Sequence, residues 1–230
     1  MRSYLAAKRR LLVLREAGVT TFGKMLEVGC GTGELCHVIH NIGMSVTGID
    51  ISESGIAEAR SRYKTIPFQV GTIDDVDPEV KYDALFAFEL IEHLTNPDRF
   101  FGKASALLEK HGFLCVTTPS FECAEYVGFE NWSGFSTSHE HLYFFSSDAI
   151  GKYAAKHGMR VVCILYGGGK GLNGSNRKES NSRLLVKSIL RSLHLLGPLR
   201  MVRSNMLLTK HDYQSREPRH NLFMVLRKGQ

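Results

Sequence analysis

The segment from Lys24 to Gly33, KMLEVGCGTG, constrains this chain more than any other. A short apolar run enters three glycines spaced G-x-G-x-G. Leu35, Val38, Ile39 and Ile42 then follow at helical spacing. Apolar runs of this length bounded by glycine are buried strands, and the change to a helical period marks a strand–turn–helix unit. The pattern recurs downstream. Strands are expected at Lys24–Val28, Ser45–Ile49, Pro67–Val70, Tyr82–Phe88, Gly112–Thr117, Met159–Tyr166 and Asn221–Arg227. Helices are expected at Gly33–Gly43, Ser54–Tyr63, Pro97–Leu108 and Ser147–His157, with Ser52 or Ser54 as a cap. Strands alternating with helices of this length build an α/β fold: a mostly parallel, seven-stranded sheet with helices on both faces. Residues 120–145 are expected to be irregular and rich in aromatics. In such sheets ligands sit at the carboxyl ends of the strands.

Composition excludes several classes. The 230 residues are 43% hydrophobic and 23% charged, which is ordinary for a folded domain and far from a disordered one. No apolar run approaches the ~18 residues of a spanning helix. The first residues, MRSYLAAKRRLLVLREAG, are broken by Lys8, Arg9, Arg10, Arg15 and Glu16, and lack the hydrophobic stretch of a secretory signal. Five scattered cysteines without a CxxC pair argue against a disulfide framework or a zinc ribbon and favour a reducing compartment. A cytoplasmic protein is expected.

The glycines point to a ligand that touches the main chain. Gly29, Gly31 and Gly33 permit a sharp turn and leave no Cβ between backbone and ligand. No GxxxxGK[ST] occurs, which excludes a phosphate-cradling P-loop. Asp50 closes the second strand, where a carboxylate can accept hydrogen bonds from both hydroxyls of a ribose. A carboxylate favoured by a helix N-terminus is the plainer alternative for Asp50 alone.

Four ordered segments, LEVGCGTGELC, TGIDIS, YDALFAFELIEHLTNP and LLEKHGFLCVTTPS, resemble the successive signatures of class I S-adenosylmethionine-dependent methyltransferases. The likeness covers most of residues 20–165, and NLFMVLR would supply the last strand of a Rossmann-like sheet as a C-terminal β-hairpin. It is strongest to the branch with an E-H-L-x-x-P segment, which includes ubiquinone-pathway O-methyltransferases and enzymes acting on sugars, lipids and natural products. The resemblance implies S-adenosylmethionine as cofactor and a single methyltransferase domain over 1–230. Glu27 would orient the methionine ammonium. Gly29, Gly31 and Gly33 would pass beneath the methionine and ribose, Asp50 would hold the ribose, and Ile51 would lie against the adenine. Thr72, Ile73 and Asp74 lie where the family contacts the adenine edge, although Thr72 replaces a usual acid. Phe88 and Glu89 would border the methionine and the transferred methyl. The stretch 120–145 would form a lid over the acceptor, with the aromatic residues as plain core being the alternative.

Glu89, Glu92 and His93 fall on one face if FELIEHL turns helical, and His139-Glu140-His141 follows in the aromatic stretch. Three readings stay open. His141, His93 or His139 is a general base for the acceptor. Alternatively Glu89, Glu92, His93 and His141 bind a divalent metal, as in the related branch that methylates the terminal 2′-hydroxyl of small RNAs. In the third, Glu92 and His93 merely fix the loop.

Charge is divided. Residues 1–150 carry a net −7 and residues 151–230 a net +13. Basic amphipathic helices are expected at 5–17 and 184–196, the latter within a basic loop and helix insertion spanning 167–215. The second helix either packs on its own domain or meets an anionic membrane surface. RNA is the less favoured partner, since no recognised RNA-binding module accompanies the cations. The expected activity is methyl transfer to an oxygen of a small molecule: a sugar, a quinone-like ring or a lipid-linked intermediate. The alternatives are a metal-dependent RNA 2′-O-methyltransferase and a non-catalytic cofactor-binding module.

Overall fold

The computed structural model describes residues 23–132, 140–167 and 221–229. The expected helices at 5–17 and 184–196, the glycine-rich linker and His139 lie outside these residues. The alternation of short apolar runs and helices folds as anticipated. Strands β1 (Lys24–Val28), β2 (Ser45–Asp50), β3 (Phe68–Val70), β4 (Tyr82–Phe88), β5 (Leu108–Pro119), β6 (Met159–Gly167) and β7 (Asn221–Lys228) form one sheet. Their order is β3-β2-β1-β4-β5-β7-β6. The first five pair in parallel, while β7 inserts antiparallel between β5 and β6. The reversal between β1 and β4 opens a crevice at the carboxyl edge, the usual ligand position in an open α/β sheet.

Helices cover both faces. On one side α1 (Glu34–Asn41) and α2 (Glu53–Arg62) bury Leu35, Cys36, Ile39, Ile56 and Ala59 against Met25, Phe86, Phe88 and Phe223. On the other, α3 (Pro97–Leu107) and α5 (Ser147–Lys156) bury Phe100, Phe101, Ala104, Ile150 and Ala154 against Leu26, Leu85, Leu114 and Met224. Alternation along each strand sends successive side chains to opposite layers, so one strand feeds both cores.

Helix starts are set by local capping. Ser52 accepts from Gly55 N at 3.1 Å, Asn96 from Arg99 N at 3.0 Å and Ser146 from Ala149 N at 3.1 Å. The structure differs from the sequence expectation in two places. Strand β5 begins at Leu108 instead of Gly112, because Leu108 already pairs with Tyr82 ahead of an irregularity containing His111 at φ 66°. The stretch expected to be irregular contains α4 (Phe121–Val127), capped by Ser120, and a 3-10 turn at Phe129–Asn131. Seven residues are too few for a period to show among so many aromatics.

Gly33 caps α1 in the left-handed region, φ 80°, and a Cβ there would lie 2.6 Å from the Phe68 ring. Gly43 has φ 84° with open space around it. Gly33→Ala is therefore expected to lower unfolding free energy by about 2–4 kcal/mol, from backbone strain plus overpacking. Gly43→Ala should lose only about 1 kcal/mol. Urea unfolding of the two variants separates the two contributions.

Candidate active site

The loop after β1 is tied down by β2. Gly29 N and Cys30 N both donate to Ile49 O, at 2.8 and 3.2 Å. The Asp50 carboxylate then bridges two segments: Oδ2 accepts from Gly31 N and Oδ1 from Ser52 N, each at 2.8 Å. Each oxygen retains a further lone-pair direction, so Asp50 can still accept a ligand hydroxyl. Gly31 itself, at φ 52°, has nothing within 4 Å of where a Cβ would stand. That open face lies beside the Asp50 clasp. Ile51 stands just beyond with 75% of its surface exposed, an apolar side chain free to cover a planar ring.

Glu27 is 5% exposed, on the same sheet face as Met25 and beneath α1, where the Cys36 thiol donates to its Oε2 at 3.1 Å. Phe88 is buried between Phe86 and Phe223. Glu89 follows at φ 52°, a conformation non-glycine residues seldom hold without a reason. Its N–H donates to Thr117 O at 2.9 Å and lies 3.0 Å from Thr117 Oγ1, while its Oε1 accepts from Asn221 Nδ2 at 3.2 Å. Thr117 and Asn221 mark strand ends in the sequence and are not among the expected site residues. The available signal was the direction of β7: an antiparallel strand begins at the edge where its parallel neighbours end.

The proposed adenine edge is arranged differently. Ile73 points into the core, with only 7% exposed. The Asp74 carboxylate is held by Arg99 Nε at 3.0 and 3.1 Å and lies 3.7 Å from Lys103 Nζ. Thr72 is part of a capping turn, donating its hydroxyl to Asp75 Oδ2 at 2.9 Å. The Thr72 backbone N–H, 2.8 Å from the same oxygen, and then its hydroxyl hold the Asp75 carboxyl below its ordinary value.

A second group of polar side chains gathers where β4 ends. A 3-10 turn at Ile91–His93 carries Glu92 and His93, and the Glu92 carbonyl accepts from Leu142 N at 2.8 Å and Tyr143 N at 3.2 Å. Those bonds bring residues 140–145 onto the turn and set the His141 ring 4.8 Å from that of His93, at 63°. His93 Nδ1 donates to the Glu140 carbonyl at 3.1 Å. A carbonyl can only accept, so this bond places the proton on Nδ1 and leaves the Nε2 lone pair of a neutral ring available. One ligand atom from each of Glu92, His93 and His141 lies within 4.8 Å of the others. Glu89, the fourth member of the anticipated metal set, is not in this cluster, its carboxylate being turned to Asn221.

Glu92 is 1% exposed, and neither carboxyl oxygen makes a hydrogen bond among the described residues. Burial, and next the charge of Glu89, raise its pKa to about 8, opposed by its own backbone N–H and, more weakly, by the nearby Thr118 hydroxyl. A buried carboxyl without partners is costly unless something positive completes it. Among the aromatics, Trp132 is fully buried with Cys123, Ala124 and the flanking Phe144, making a small core of its own. Phe129, Leu142 and Tyr143 remain exposed.

Because folding raises this pKa from 4.5 to about 8, the folded state holds the proton more tightly. The associated stability is fully present below pH 4.5 and is lost as pH rises through 8. In chelator-treated protein, Glu92→Gln should therefore be the more stable form at pH 8–9, by about 1–3 kcal/mol, and should converge on wild type at pH 5. Urea titrations at both pH values measure the difference.

Comparisons with known proteins agree with this architecture. The family described as "Methyltransferase domain" matches residues 1–164. A ubiquinone biosynthesis O-methyltransferase of Bradyrhizobium sp. (strain ORS 278) is 35% identical over 136 residues, 51% of this chain and 54% of that protein. The chain thus aligns with about half the length of the curated relatives it matches. Among solved structures, magnesium protoporphyrin IX methyltransferase from Synechocystis PCC 6803, with bound SAH, superposes with a TM-score of 0.63 at 13% identity. It covers 99% of this chain and 84% of that one. A SAM-dependent methyltransferase from Archaeoglobus fulgidus gives 0.61 at 17% identity, over 96% and 94%. The fold is that of the class I, Rossmann-like methyltransferases, and the chain belongs to the methyltransferase-domain family.

Proposed function

We propose that the protein binds S-adenosylmethionine along the carboxyl edge of β1, β2 and β4 and transfers its methyl group to an oxygen of a small molecule. One observation carries the reading: the Asp50 clasp on the open Gly31 loop and the Glu92–His93–His141 group lie on the same edge. The clasp suits a nucleoside. Asp50 keeps lone pairs for the ribose hydroxyls, Ile51 covers the adenine, and Glu27 receives the ammonium of the methionine. Phe88 and Glu89 border the sulfonium end.

The reaction is a displacement. A lone pair of the acceptor oxygen forms the new bond to carbon, the carbon–sulfur bond breaks, and sulfur keeps the electron pair to give S-adenosylhomocysteine. Sulfonium is already an activated leaving group, so alignment supplies much of the acceleration. The acceptor must also lose its proton, and the His141 imidazole takes it. His93, held at Nδ1 by the Glu140 carbonyl, packs edge-on against that ring and sets its position.

As the alternative to His141 acting as base, Glu92, His93 and His141 fit a divalent cation, because the buried carboxyl of Glu92, which makes no hydrogen bond among the described residues, and the free Nε2 of His93 meet its donor requirements. When bound there, such an ion supplies positive charge that eases deprotonation of a neighbouring hydroxyl. The acceptor class follows from the surroundings. The exposed aromatic and aliphatic rim of Phe129, Leu142 and Tyr143 suits the apolar ring of an acceptor, and these residues would act as its lid. A quinone-like ring agrees best with the relatives named for ubiquinone biosynthesis. Among the described residues no helix is long and apolar enough to cross a membrane. The basic stretch that would approach a lipid surface or a nucleic acid lies outside them.

Asp50→Ala should weaken S-adenosylmethionine binding by more than about tenfold, equivalent to the loss of charge-assisted bonds of about 1.5–3 kcal/mol. Calorimetry with the purified chain tests it, and an unchanged dissociation constant would remove the ribose assignment. His141→Ala should lower turnover on a labelled-cofactor acceptor screen at least about a hundredfold, with cofactor affinity near wild type. Turnover equal to wild type would retire His141 as the base. Adding manganese or zinc to chelated protein should raise the melting temperature of wild type and leave that of Glu92→Gln unmoved. Equal responses would exclude the cation.

A further inference from the structure

The cofactor pocket contains a buried thiol that the methyl transfer does not use. Cys36 lies in the first turn of α1 and is 0% exposed. Strand alternation sends Glu27 to the α1 face, where only 5% of it reaches solvent, and the two side chains meet at 3.1 Å, Cys36 Sγ to Glu27 Oε2. We propose that Cys36 is a positioning residue for the amino-acid end of the cofactor: its thiol holds the Glu27 carboxylate in the rotamer that receives the ammonium group. The inference rests on the assignment of Glu27 to that ammonium.

Three considerations support it. A carboxylate this deeply buried is costly unless its oxygens are satisfied, and a donor aimed at one of them fixes where the charge resides. A thiol is a weak donor, but a bond to an ionised acceptor inside a protein is stronger than the same bond in water. The thiol also stays protonated. The neighbouring Cys30 thiol, then burial, then the charge of Glu27 all push its pKa well above that of a free cysteine. The donor is therefore present at every physiological pH. Cys30 belongs to the glycine loop, so its contact with Cys36 joins loop, helix and strand around the place where the amino-acid end would rest.

The test compares two ligands by calorimetry: S-adenosylhomocysteine, which has the amino-acid end, and 5′-methylthioadenosine, which keeps the nucleoside and lacks the ammonium. Cys36→Ala and the near-isosteric Cys36→Val should each weaken S-adenosylhomocysteine about tenfold and leave 5′-methylthioadenosine within about twofold, the size expected for one hydrogen bond. Cys36→Ser restores a donor and should return S-adenosylhomocysteine to within about threefold of wild type. Thermal melts identify any variant that does not fold, and the serine variant then decides with the remaining one. Equal weakening of both ligands would make Cys36 a packing residue and overturn the proposal, as would no weakening of either. Glu27→Gln separates the two layers of the argument. If it too leaves S-adenosylhomocysteine unaffected, the ammonium assignment itself fails. If it discriminates between the ligands and the cysteine variants do not, only the role of Cys36 falls.

Discussion

The architecture of the carboxyl edge depends on one carboxylate. Asp50 ends β2 and uses both oxygens on main-chain N–H groups, one from the glycine loop after β1 and one from the turn that starts α2. The glycines allow the loop to turn, and that same freedom would let it wander. The Asp50 bonds, together with those from Gly29 and Cys30 to Ile49 O, remove the freedom without adding side chains to the open face. A ligand docking there would meet a surface already shaped, and less of its binding energy would be lost to ordering the protein.

Local costs gather at the same edge. Glu89 holds a positive φ, Glu92 is buried without a hydrogen bond among the described residues, and Glu27 is almost fully enclosed. None of these assists folding. The two cores on either side of the sheet, with ordinary aliphatic and aromatic packing, carry the stability that tolerates them. Backbone strain and buried carboxyl groups are thus concentrated at one edge of an otherwise conventional domain.

Much of this was legible beforehand, for a local reason. Strand β4 at Tyr82–Phe88 and the start of β1 followed directly from apolar run length. A serine cap at 52 or 54, Gly33 and Asp50 followed from spacing within a few residues of an element end, and the structure caps with Ser52. What stayed hidden depends on distant partners. Asn221 reaches Glu89 only because β7 runs antiparallel into the sheet, and Ile73 turned into the core where a surface contact was expected. The helix at Phe121–Val127 was concealed by its shortness and by aromatics that pack as a separate small core with Trp132.

The sequence by itself determined the order of strands and helices, the turn that only glycine permits, and the carboxylate at the end of β2, because each is set by backbone sterics and hydrophobic period over a short span. Only the tertiary structure decided that Glu92, His93 and His141 converge while Glu89 turns away. It also decided that a thiol from α1 faces the acid of β1. Such meetings depend on which backbone groups pair across the sheet and over the turn after β4. The bonds from Leu142 and Tyr143 to the Glu92 carbonyl bring together residues that are far apart along the chain, and no local pattern encodes them.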